Sequence, residues 1–120
     1  METPKEVIRE LEKIRNQSEQ GIALLAEAEI KYLELASAAD RVEATELLSA
    51  QGTIVDRQAV AKLKAMDVRF QADLAKVELN RIKAKIRHLS ESQMAVMAAG
   101  KLIQMEWRSE EHTSELQSPS

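Results

Sequence analysis

The side chains best placed for chemistry lie between Lys76 and His88. Lys76, Arg81, Lys83, Lys85, Arg87 and His88 share that stretch with a single acidic residue, Glu78. A basic helix face can follow phosphates through sequence-independent, salt-sensitive contacts, which makes Arg81, Lys83, Lys85 and Arg87 the candidate nucleic-acid residues. Against that use, the facing part of the first half carries Glu19 and Glu27. Aromatic platforms on which bases could stack are missing. A solvated charged face is the simpler account. His88 stands three residues after Lys85, where a Glu-x-x-His metal motif would need a glutamate. No Gly-rich phosphate loop or His-Glu-x-x-His pair occurs, and the chain has no cysteine. Catalytic residues, metal, cofactor and small-molecule substrate are therefore not expected. The chain reads as a non-enzyme.

The elements that position these residues are helices. Prolines occur only at Pro4 and Pro119, and glycines only at Gly21, Gly52 and Gly100. Ala, Leu, Glu, Lys, Arg and Gln dominate between them, residues that lose little freedom in a helix. The aromatic residues are Tyr32, Phe70 and Trp107, and no β-type alternation appears. Thr3-Pro4-Lys5-Glu6 is a helix start with its capping box. Gln51-Gly52-Thr53 is a stop and restart: Gly52 suits a left-handed backbone, and Thr53 with Asp56 offers the next cap. Arms of about 4–50 and 54–106 joined by a turn at 51–53 follow, forming one domain over 1–107.

Two apolar seams support an antiparallel coiled-coil pairing. The first runs Val7, Leu11, Ile14, Ser18, Gly21, Leu25, Ala28, Tyr32, Leu35, Ala39, Val42. The second runs Ala61, Ala65, Val68, Ala72, Ala75, Leu79, Ile82, Ile86, Leu89, Gln93, Val96, Gly100, Ile103. Both keep heptad-like 3-4 spacing. Folding at the turn pairs Val42 with Ala61, Leu25 with Leu79, Gly21 with Ile82 and Val7 with Val96, all with residue numbers summing to 103 or 104. The arms also attract: residues 1–50 hold 6 basic and 11 acidic side chains, net -5, while 54–107 hold 10 and 6, net +4. The fold expected is an all-α two-helix hairpin, with Gly21 the one place where the first arm could break.

A second apolar set is left over in the turn-proximal half. Val60, Leu63, Phe70, Leu74 and Val77 lie off the second seam, and Ala26, Ile30, Leu33, Ala44 and Leu47 lie off the first. A two-helix hairpin cannot cover a second stripe, and each exposed Leu or Phe forgoes about 1.5–3 kcal/mol of burial. Ile30, Leu33, Leu47, Val60, Leu63, Phe70, Leu74 and Val77 are therefore the candidate protein interface. The partner expected is a second copy, giving a homodimer or higher bundle, or another protein.

Two resemblances complete the reading. The segment Gly52-Thr53-Ile54-Val55-Asp56-Arg57-Gln58-Ala59, with the helix through Asn80-Arg81-Ile82-Lys83-Ala84-Lys85-Ile86, resembles small helical-hairpin proteins of bacterial viruses over about residues 20–97. That resemblance implies a viral or prophage accessory protein and carries over no functional residues. Residues 108–118, Arg-Ser-Glu-Glu-His-Thr-Ser-Glu-Leu-Gln-Ser, resemble the in-frame translation of a sequencing-library adapter. A non-native tail over 108–120 is expected on that ground. The charged start METPKEVIRE has no signal-peptide core, and no apolar run is long enough to span a membrane. A cytoplasmic scaffold or adaptor is the functional expectation, with a nucleic-acid accessory module as the alternative.

Overall fold

The computed structural model describes residues 3–117, with side chains through residue 110. The chain is an all-α helical hairpin. Helix α1 covers Pro4–Ser49, helix α2 covers Ile54–Gln117, and no strand occurs among the described residues. Each start is capped as the sequence requires. Thr3 Oγ1 accepts a hydrogen bond from the Glu6 amide at 3.2 Å, and Thr53 Oγ1 accepts one from the Asp56 amide at 3.2 Å. Gly52 sits at φ +114°, where a Cβ would be strained.

The close of α1 uses a residue that the sequence did not single out. Arg57 donates from Nε at 3.2 Å and from Nη2 at 2.7 Å to the Leu47 carbonyl oxygen. A cation there satisfies an orphan carbonyl and opposes the negative end of the helix dipole.

Helix α1 passes through Gly21 without a break. Helix α2 continues past residue 106, the end expected for the second arm, as far as Gln117. Nothing between Trp107 and Gln117 breaks a helix: no glycine or proline intervenes, and Arg, Glu, Leu and Gln favour the conformation. Of the expected tail, 118–120 lie outside the described residues, as do the side chains of 111–117.

The packing falls into two compact units. In the turn-proximal unit, Ile22–Ala84, the buried residues are Ala39, Ala61, Ala65, Ala72, Ala75 and Leu79. Five of the six are alanines, so the two helices approach closely and bury little side chain. The other unit joins α1 up to Gly21 with α2 from Lys85. Its core is larger in side chain: Val7, Ile14, Val96 and Ile103, with Leu11 packed against them. All of these buried residues belong to the two seams.

The register differs from the expected one by about one helical turn. Gly21 lies against Ile86 rather than Ile82, and Val7 lies against Gly100 rather than Val96. Both observed pairs sum to 107. The reason is geometric: a heptad seam advances by alternate steps of three and four, and in an antiparallel pair equal steps must face each other. Sums alternating between 103 and 104 set a three against a four. A sum of 107, as in both observed pairs, sets three against three and four against four. One seam member is also corrected, since Gln93 is exposed and Ser92 takes the half-buried place. The long amide turns to water, and the small hydroxyl tolerates the inward position.

The two helical glycines of the seam should respond oppositely to alanine. A Cβ on Gly21 would stand 3.1 Å from Ile86 Cγ1, part of a side chain that can give by tenths of an ångström. Helix propensity favours Ala over Gly by about 0.8–1 kcal/mol, so Gly21→Ala is expected to leave stability unchanged or raise it. A Cβ on Gly100 would stand 2.9 Å from Cγ1 of Val7, a buried and β-branched side chain that is stiff at χ1. Overpacking of about 1–3 kcal/mol then exceeds the propensity gain, and Gly100→Ala should melt lower. Thermal unfolding followed by circular dichroism checks both signs.

Candidate protein-interaction surface

In the Ile22–Ala84 unit the usual ordering of side chains is inverted: the small apolar residues are inside and many large ones are outside. Leu63 is 66% exposed, Phe70 58% and Val77 66%. Val60, Leu74, Ile30 and Leu33 are exposed as well, whereas Leu47 is half-buried beside the turn. Helical phase explains this. The seam takes only one side of each helix, and a large side chain on the far side has nothing in the pair to pack against.

These residues do not form one continuous patch. Helical periodicity of 3.6 residues per turn places each leftover stripe about 150° from its own seam, on the back of its helix. On α1 the stripe leads each seam residue by one or two positions in alternation, and on α2 by two throughout. The two stripes therefore lean to opposite sides of the pair. The α2 stripe is the richer, with Val60, Leu63, Phe70, Leu74 and Val77 against Ile30 and Leu33 on α1. Its 3-4 spacing is completed by Asp67 and Arg81.

The flank of this unit is polar and ordered. Arg69 Nη2 donates to Glu43 Oε2 at 2.7 Å and to Asp40 Oδ1 at 3.2 Å, joining α2 to α1. The Asp40 hydrogen bond, foremost, raises the Arg69 pKa above its usual value, helped by the charges of Glu43 and Asp40. A raised pKa on a cation means a proton held more firmly, so the guanidinium stays charged at every working pH. Lys76 Nζ lies 5.9 Å from the centre of the Tyr32 ring, a cation–π arrangement on the same pair of helices. Neither Arg57 nor Arg69 was assigned a role from the sequence. The net charges of the arms signalled that such bridges would form, but not at which positions.

The basic residues are not gathered on one face. Arg81 and Lys83 belong to the Ile22–Ala84 unit, and Lys85 and Arg87 to the other. Within each pair the residues are two apart, a turn of about 200° around the helix, which sends them to opposite sides. Arg81 is also tied to Glu78 at 3.1 Å. All four are exposed, as is His88.

The unit holding the chain ends has its own apolar surface. A groove of about 270 Å³ is lined by Val7, Ile8, Leu11, Met97, Gly100 and Lys101, among others. Met94, Leu102, Met105 and Trp107 are exposed in the same unit. Among the described residues no group of three or more His, Asp or Glu side chains is placed to hold a metal ion, and no helix is long and apolar enough to cross a membrane.

The class of protein that this architecture defines is a helical hairpin with apolar rows on its outer surfaces. Compared with protein-family models, with curated proteins and with solved structures, the chain matches none.

Proposed function

We propose that this protein is a non-enzymatic helical scaffold that works through protein–protein contact, associating by way of its turn-proximal unit. The observation that carries the reading is the inverted unit, with alanines buried and Leu63, Phe70, Leu74 and Val77 on the outside. An isolated pair of this kind buries little apolar area, while each covered Leu or Phe would contribute about 1.5–3 kcal/mol. Association supplies the missing burial. The resemblance to helical-hairpin proteins of bacterial viruses supplies the setting, a viral or prophage accessory role.

Light scattering over a wide range of concentration tests the reading. The expected result is a mass that rises with concentration in the original chain. Replacing Leu63 and Phe70 together with glutamine should hold the mass at that of a monomer while helicity is retained. A strict monomer at every concentration, with no protein bound, would sink the proposal.

A further inference from the structure

The geometry points to a specific occupant for the α2 stripe: we infer that it packs against the same stripe of a second copy, antiparallel, about a two-fold axis. This rests on the reading that the turn-proximal unit associates, and it fixes the partner and the register. The stripe Val60, Leu63, Asp67, Phe70, Leu74, Val77, Arg81 is a heptad seam in its own right, with steps of three and four. The rule that holds within the hairpin applies again: equal steps must face equal steps, so facing residue numbers must have a constant sum.

A sum of 137 satisfies that condition and matches chemistry on every layer but one. It sets Leu63 against Leu74 of the second copy, Val60 against Val77, and Asp56 against Arg81. Two-fold symmetry repeats each contact. On the flank, Lys64 of each copy shares an edge with Glu78 of the other, offset by five residues and within reach of its long side chain, opposite charges again. The exception is Asp67, which meets Phe70 near the axis. A single polar residue in a seam specifies register while lowering stability.

Sliding by one heptad in either direction loses both kinds of match. In one direction Leu63 meets Arg81 and Asp67 meets Val77. In the other, Leu63 meets Asp67 and Leu74 meets Asp56. Apolar fit and charge select the same register from opposite kinds of interaction. The α1 stripe offers nothing comparable, since Ser37, Asp40 and Ala44 interrupt it.

Charge exchange tests the pairing with the full chain. Lys64→Glu places two like-charge pairs in the dimer and should weaken association about tenfold at low salt, as should Glu78→Lys. The double variant Lys64→Glu/Glu78→Lys restores opposite charges and should return the affinity to near its starting value. Because the chain has no cysteine of its own, disulfide trapping gives a second readout. Leu63→Cys/Leu74→Cys should form a covalent dimer on oxidation, and Leu63→Cys alone should not, since its two sulfurs would lie about three turns apart. A dimer that ignores the single charge changes, or that traps through Leu63→Cys alone, overturns this register while leaving association intact. A chain that remains monomeric throughout overturns both.

Discussion

Leu79→Asp is expected to abolish cooperative unfolding of the turn-proximal unit and to lower helicity sharply at room temperature. Leu79 is the largest buried side chain there, and the other buried residues of that unit are alanines. Deleting a buried leucine alone costs about 2–5 kcal/mol, and an unpaired carboxylate in its place adds a desolvation penalty of similar size. An alanine core has little reserve from which to absorb such a loss. Leu25→Asp should do less, because Leu25 is half-buried and a short carboxylate there can turn to water. Circular dichroism and urea unfolding measure both. Native helicity and an unchanged midpoint in Leu79→Asp would refute the seam.

Ala65→Leu attacks the same unit from the other side, by adding volume. Ala65 is 0% exposed, so the two helices leave no room beside it. Forcing three further carbons between them should cost about 1–3 kcal/mol, and more if the helices must separate along their length. The control is Ala59→Leu, an exposed position on the same helix, where a change within about 0.5 kcal/mol is expected. Equal melting temperatures for the two leucine variants would show that the close approach is wrong.

Both effects depend on features that were readable in the residues alone. The seams stand out because a heptad pattern is a period, and every buried residue among those described is one of its members. The starts of both helices followed from Thr3 and Thr53, each with a hydroxyl positioned three residues ahead of the amide it caps. Pairing was harder. Residue types gave complementary sizes in a register one turn away from the true one. The steps of three and four decide between the two, and that condition concerns geometry rather than composition. Continuity through Gly21 was likewise a packing outcome: Ile86 fills the space beside the missing side chain, so the glycine is a fitted position and not a hinge.

The candidate surface was legible by subtraction, as the large apolar residues that the seams did not use. Its division into two rows on opposite sides was recoverable from helical phase. The bridges made by Arg57 and Arg69 were not, because long side chains reach carbonyls and carboxylates that only the folded backbone brings near. The basic residues 81, 83, 85 and 87 show the converse error. Proximity along the chain suggested a shared face, yet alternate positions on a helix diverge.

The matched steps seen where Gly21 meets Ile86 and Val7 meets Gly100 have a consequence for how such a chain can change in length. Deleting one residue from either limb would swing everything beyond it by about 100° and bring polar side chains into the zip. Loss of a whole seven-residue repeat from one limb alone would keep the phase but leave the opposite limb overhanging by roughly 10 Å, two turns of helix. Only matched changes on both sides of Gly52, in multiples of seven, preserve every rung. Natural variants of this architecture should therefore come in quantised sizes, fourteen residues apart.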